Sequence, residues 1–305
     1  MNPLRGPQDP PPLSRSRVDR GSFPIERASL ARRSSVIIST DGLDRTMIDR
    51  GSVLALYDAE MRRDPIPEPG ARVERVGTIV RVVGTDNCVL FSDLTEAGAR
   101  AVVTTQANFF RDAGVKVEWK VFGHDLPKNL TDILGEEGFV PDEPETLVAF
   151  DLRNGSLGDP SVSGLEIRQV LDAAQLGDAL RASEAAFGPN THGFLDRYRN
   201  RLADPTVALF VAYADGSPAA TGRLEMPPGK SFAGLWGGGT SPRFRHRGIY
   251  RSLVAARAAL ARRRGYSFLT VDARAMSLPI LERLGFVPLT TTQGWMLHPP
   301  GRRPP

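Results

Sequence analysis

The chain is poor in cysteine, in histidine and in long apolar runs. Its 305 residues include a single cysteine, Cys88, so no disulfide can form within the chain. Its four histidines are scattered, with no spacing that suits zinc, and no metal is expected. The longest weakly polar stretch, LVAARAALA at 253–261, is broken by Arg257. It falls far short of the roughly 18 apolar residues that a membrane helix needs, and no apolar leader follows the start. A soluble, cytoplasmic chain without a membrane partner is the expectation. HExxH and GxSxG are absent, and the GKS at 229–231 is no phosphate loop, because its required first glycine falls on Leu224.

What is present is ordinary for a globular protein: 41% apolar and 24% charged residues. At roughly 150 residues per domain the length suits two domains. The charge of +4 is unevenly spread. Residues 1–46 hold eight arginines, five acids and six prolines and cannot bury enough surface to offset their ordering entropy, so they read as a disordered tail. Met47, where helical periodicity begins, is an alternative start. The terminal GRRPP adds +2, which leaves residues 47–300 nearly neutral, with 29 basic and 30 acidic side chains. Within that body no acid occurs from Met226 to Val271, against Lys230 and eight arginines. A solvated helix face normally mixes signs, so this window points to an anion site.

Periodicity gives a mixed α/β chain. The first half reads as a helix over 52–63, strands VERVGTIVRVV and CVLFSD, a helix over 95–112, strand VKVEWKVF, helix LTDILGEE and strand TLVAFDL. A Gly, Ser, Asp and Pro stretch within 153–164 reads as a linker. Strand LEIRQV, helices over 172–187 and 194–203, and strands TVALFVAYA, AATGRLEM and FAGLWGGGT follow. A helix over 248–264, strand SFLTVDA, a short helix to Leu284 and strand GWMLH complete the second half. Cys88 falls in an apolar strand and is expected in the core.

The halves repeat. Ile133 to Pro141 reads ILGEEGFVP and Ile280 to Pro288 reads ILERLGFVP, each after a helix, a glycine and an apolar strand. Gly138 and Gly285 suit the left-handed position just past a helix, with the next Phe packed back on the last turn. Two related α/β units in tandem are expected, at 47–152 and 165–300.

The sharpest signal is TSPRFRHRGIYRSL at 240–253, leading from a glycine-rich strand into a long helix. The first N–H groups of such a helix point outward with the dipole behind them, which suits an anion. Gly248 permits close approach, and Arg243, Arg245, Arg247 and Arg251 supply forked donors. Gly237, Gly238 and Gly239 inside the preceding strand mark a bulge that can splay it from its neighbour.

These residues resemble the GNAT superfamily of acetyltransferases, whose strand-loop-helix carries (Q/R)xxGx(G/A). Arg245, Gly248 and Tyr250 fill the three marked positions, the last departing from Gly or Ala so that its ring crowds or stacks near the cofactor. ILERLGF is similar to the LYEKLGF region of that superfamily, and the resemblance covers about 165–300. It implies a GNAT fold, with acetyl-CoA as co-substrate along Gly238, Gly239 and Thr240, and its pyrophosphate on the amides of His246, Arg247, Gly248, Ile249, Tyr250 and Arg251. It further implies direct N-acetyl transfer to a primary amine, on a small molecule or a peptide.

For the base, Glu225 is first choice, as the last acid before the basic window; it is equally a surface carboxylate before Pro227 and Pro228. Asp272 is second, and His192 either lines the acceptor site or is simply solvated. The tyrosine that commonly protonates the leaving thiolate in this superfamily is Leu281 here, so Tyr250 or water supplies the proton, or acid catalysis is dispensed with. That departure supports an alternative, an acyl-CoA-binding regulator or scaffold without catalysis. The first half lacks the loop, and Asp93 and Glu96 at its helix start repel phosphate, so it covers the second unit or shapes its acceptor site. Nucleic-acid binding is not expected, because aromatics are not interleaved with the arginines. A monomer or a homodimer fits equally.

Overall fold

Alternating apolar residues along the strands give the sheet two distinct faces, and each half spends them differently. A computed structural model describes residues 49–158, 162–189 and 193–299. The N-terminal segment 1–46, His192 and the C-terminal GRRPP lie outside the described residues, as do residues 159–161 of the expected linker.

The first half begins with α1 (Arg50–Tyr57), capped by the Asp49 carboxylate, and runs on as a π-helical turn at Asp58–Arg63. The run read as one strand is a hairpin of β1 (Arg72–Val76) and β2 (Ile79–Val83), because Gly77, at φ 59°, turns the chain between them. There follow β3 (Cys88–Ser92), α2 (Glu96–Asp112), β4 (Val117–Phe122), α3 (Leu130–Glu136), β5 (Val140–Pro141) and β6 (Glu145–Asp151). The second half is β7 (Leu165–Gln169), α4 (Ala173–Phe187), α5 (Phe194–Arg199), β8 (Val207–Ala214), β9 (Ser217–Glu225) and β10 (Phe232–Thr240). It ends with α6 (Ile249–Arg263), β11 (Phe268–Ala273), α7 (Leu278–Arg283) and β12 (Val287–Leu297). The expected last strand thus starts seven residues early, at Val287, because β12 pairs first with β6, over Val287 to Thr292, and then with β4 on its other edge, over Thr292 to Leu297.

The strand order is β1-β2-β3-β4-β12-β6-β11-β10-β9-β8-β7, with β5 beside β12. Strands β6 and β12 are exchanged between the halves. The first half's β6 lies against β11, with Thr270 opposite Ala149, and the second half's β12 lies against β4, with Trp295 opposite Trp119. One mixed sheet therefore runs through both halves, and neither half closes its own sheet.

One face of the sheet carries α2 and α3 over Val89, Val117 and Trp119, and α6 and α7 over Phe150, Leu235 and Leu269. The other face carries α1 over Ala149, Phe232 and Phe268, and α4 and α5 over Val207, Leu209 and Val211. Leu157 in the connecting stretch is buried in the α6 core, and Arg262 donates to the carbonyl of Leu152 at 2.8 Å. The repeated nonamer ends α3 and α7 in the same way. Gly138 and Gly285 have φ of 84° and 92°, and Phe139 and Phe286 donate to the carbonyls of Leu134 and Leu281, five residues back. Among the described residues no helix is long and apolar enough to cross a membrane.

Candidate active site

β10 pairs in parallel with β11 over Phe232–Gly234 against Phe268–Thr270, and there the pairing stops. β11 goes on pairing with β6 as far as Ala273, so β10 and β11 diverge beyond Gly234. On its other edge β10 loses register with β9 between Trp236 and Gly239. The three glycines explain the bulge. Gly237 has φ 54°, a Cβ on Gly238 would stand 3.2 Å from the Tyr250 ring, and one on Gly239 would stand 2.5 Å from the Phe187 ring. The strand so freed presents backbone N–H and C=O groups toward the gap, and the buried Thr240 Oγ1 at its end has no hydrogen-bond partner among the described residues.

A 3₁₀ turn at Pro242–Phe244, anchored by buried Phe244, leads to the loop. His246 and Gly248 both take left-handed backbone angles, φ 63° and 76°, on either side of Arg247. Such alternation turns successive amides toward one point. The first amide of α6 to find a helical acceptor is that of Ser252, bonded to the Gly248 carbonyl at 3.0 Å. Among the described residues the amides of His246 to Arg251 make no well-aligned hydrogen bond, so six N–H groups lack a good acceptor at the positive end of a 15-residue helix.

The arginines are arranged unequally. Arg243 and Arg251 are exposed, Arg245 donates from Nε to the Thr240 carbonyl at 3.2 Å, and Arg247 pairs with Asp215 in the β8–β9 turn at 2.7 Å. That pair depresses the Asp215 carboxyl. Ile249 is buried and fixes the helix start on the core. Tyr250 is half-buried beneath Gly238, and burial pushes its phenol up.

On the face opposite α6 a cleft of about 710 Å³ opens along the sheet. Gly234, Trp236, Thr270 and Asp272 form its end at the diverging strands, with the Trp236 ring folded over Gly234. Glu225 of β9 lies beside them. Burial pushes its carboxyl up; Arg223 Nε stands 2.8 Å from Oε1 without the alignment of a hydrogen bond. Asp272 accepts from the Thr292 hydroxyl at 3.1 Å and faces Lys120 at 3.3 Å.

The far end of the cleft belongs to the first half, through Glu118 and Lys120 of β4, Glu145 of β6 and Tyr57 of α1. Burial raises the Glu118 carboxyl, and Gly294 leaves the space it occupies: a Cβ there would stand 2.5 Å from Oε1. Glu118 and Lys120 carry no local sequence signal, since a strand exchange between distant segments brings them here. Cys88 also lines this cleft half-buried, not in the core as its apolar strand suggested, because β3 turns its even-numbered residues to this face; burial holds its thiol protonated. Leu281 is fully buried under α6, in the second half's core. At the start of α2 the Thr95 hydroxyl caps the Gly98 amide and Glu96 occupies the first turn.

Residues 177–286 match the acetyltransferase (GNAT) family. No curated protein matches the chain at a significant level. Among solved structures, a GCN5-related N-acetyltransferase from Kribbella flavida is similar over 83% of this chain and 95% of its own, at 16% identity and a TM-score of 0.60. A GCN5-related N-acetyltransferase from Sphaerobacter thermophilus is similar over 76% and 84%, at 16% identity and a TM-score of 0.56. A tandem GNAT protein from the clavulanic acid biosynthesis pathway matches the same shares at 14% identity and a TM-score of 0.54. At these identities the likeness is one of fold, and the fold is that of GNAT proteins, the tandem kind included.

Proposed function

We propose that this chain, whose residues 177–286 belong to the acetyltransferase (GNAT) family, transfers an acetyl group from acetyl-CoA to a primary amine in the cleft opposite α6. The observation that carries this is the set of six amides without a well-aligned acceptor, His246 to Arg251, at the start of α6 beside a strand that has parted from its neighbour. The residues fit the cofactor. The amides, with Arg243, Arg245 and Arg251, suit a pyrophosphate, and the free edge of β10 with the orphaned Thr240 hydroxyl suits an extended amide chain. Acetyl-CoA supplies an electrophilic thioester carbon. A β10 amide in the bulge, Gly238 or Gly239, is the candidate donor to the developing oxyanion.

The acceptor amine must be neutral to attack. Glu225, raised by burial and beside the diverging strands, is the base that takes its proton, with Asp272 as second choice. In this reading residues 165–300 are the catalytic unit. Residues 47–152 are a related unit without the phosphate loop, which completes the acceptor cleft with Tyr57, Glu118 and Lys120.

Leu281 favours a second reading, an acyl-CoA-binding regulator, because a buried leucine cannot protonate a thiolate. Two measurements separate the readings. A thermal-shift titration with acetyl-CoA should add roughly 2.7 kcal/mol of stability at a hundredfold excess over Kd; no shift overturns both. Thiol release over a panel of primary amines should follow for the enzyme, and binding without turnover on any amine leaves the regulator.

A further inference from the structure

Two arginines without a role in this mechanism are 1% exposed: Arg62, which pairs with Asp58 and Asp125, and Arg257, two turns into α6. Arg257 donates from Nε to the Leu253 carbonyl and from Nη1 to the Arg223 carbonyl, both at 3.1 Å. Among the described residues no carboxylate pairs with it and Nη2 has no partner. Burial pulls the guanidinium down to about 10, and among the described residues Tyr250 is the one titratable group that acts on it.

The sheet is built around this cation. A Cβ on Gly222 would stand 2.8 Å from its Cζ, and one on Gly238 would stand 3.3 Å from Nη2. Gly222 lies in β9 and Gly238 in the β10 bulge, so the guanidinium sits directly under the segment where the strand pairing is broken. A buried cation without a counter-charge is costly, and a core that needed only packing would hold leucine or methionine there. The compensating anion is therefore one that arrives with a ligand. It is not the pyrophosphate: nine residues of helix at about 1.5 Å each separate Arg257 from Gly248. Under the bulge lies the reacting end of the extended chain, and there the reaction develops two anions in turn: an oxyanion, which the β10 amide meets, and the thiolate, which has no donor of its own.

We propose that Arg257 stabilises the CoA thiolate as it leaves, reaching it through the opening at Gly238, in place of the proton donor that Leu281 cannot be. The amine nitrogen bonds to the thioester carbon and its proton passes to Glu225. The carbon–sulfur bond then breaks with its electron pair on sulfur, beside the guanidinium; on release the thiolate takes a proton from water, and Glu225 returns the amine's proton to the hydroxide left behind.

The proposal rests on the acyl-CoA reading above, and one experiment distinguishes their failures. The thiol of CoA bound to the full chain is titrated by its ultraviolet thiolate absorbance, with desulfo-CoA as a ligand that lacks the sulfur. Free thiols titrate near about 8.5. The expected result is a thiolate fraction at pH 7 at least about tenfold above that of free CoA. Arg257→Met should lose this gain, Arg257→Lys should keep part of it, and both should bind desulfo-CoA within about threefold of wild type. If neither CoA nor desulfo-CoA binds wild type, the cofactor reading itself fails. If CoA binds and its thiol titrates as in solution, or if Arg257→Met retains the full gain, the role of Arg257 is overturned. The wild-type titration decides the matter even where a variant does not fold.

Discussion

Lys120 and Asp272 stand 3.3 Å apart across two intervening strands, and each comes from a different half of the chain. The same ammonium lies 2.9 Å from Glu145, and Glu118 is close enough to act on it. One cation thus pairs with two carboxylates and acts on a third on the floor of the cleft. Because β6 and β12 are exchanged, that floor is a continuous sheet.

Lys120→Met keeps the length of the side chain and removes the charge, leaving those carboxylates to repel one another in a half-buried site. A loss of about 2–4 kcal/mol is expected in urea unfolding. Burial alone would pull the Lys120 ammonium down, but Asp272, Glu145 and Glu118 together hold it above the ordinary lysine range. A raised value means that its stabilisation is complete below roughly pH 10.4 and fades as pH rises toward the folded value. Wild type should therefore lose stability on the alkaline side faster than Lys120→Met.

Glu225 predicts the acid side of the rate profile. Its carboxyl is raised by burial, with Arg223 opposing, and it can accept a proton only when ionised. The rate constant kcat/KM should climb with pH and level off above a value higher than that of a free glutamate, about 4.3. Glu225→Gln should flatten this limb and lower kcat by about 10²–10⁴-fold while leaving acetyl-CoA affinity intact. A variant with an unchanged profile would move the role to Asp272.

Gly248→Ala separates backbone geometry from charge. The residue sits at φ 76° as the cap of α6, and an added Cβ would meet only Val162 Cγ2 at 3.4 Å, an ordinary contact. The cost is therefore conformational, ~1 kcal/mol for an L-residue held in the left-handed region. Relief of that strain re-aims the amides, so calorimetry should show acetyl-CoA binding weakened by roughly tenfold or more. Full-strength binding would mean that the arginines alone hold the cofactor.

The backbone of the 240–253 loop was readable in the sequence because every part of it is local: a glycine run, a turn, Gly248 and a helix start. The repeat was readable for the same reason, since each cap needs only Gly138 or Gly285 and the Phe that follows. The cleft was not. Glu118, Lys120 and Cys88 look like strand residues of a half without the phosphate loop, and only the pairing of β12 with β4 and of β6 with β11 brings them toward Glu225 and Asp272. The polar run Thr290–Gln293 hid the start of β12, because neighbours on both edges supply what its weak alternation lacks. Arg257 was visible only as one positive charge among nine; its burial depends on Gly222 and Gly238 leaving room from two other strands.

Asp215 offers a test in which a substitution should improve the protein. It lies in the β8–β9 turn at φ 52° and holds Arg247 at 2.7 Å, so one of the four loop arginines is partly neutralised by a neighbour. The contact is exposed, and exposed pairs of this kind exchange readily with solvent and with stronger anions. A diphosphate at the amides of His246 to Arg251 must compete with Asp215 for this guanidinium. Asp215→Asn removes the competitor and keeps a residue that tolerates the left-handed angle. Acetyl-CoA affinity measured by calorimetry at low salt should rise roughly two- to fivefold, and the gain should shrink as salt screens the freed arginine. The same substitution in an Arg247→Gln background should change nothing. A gain that survives there would show that Asp215 acts on the loop by a route other than Arg247.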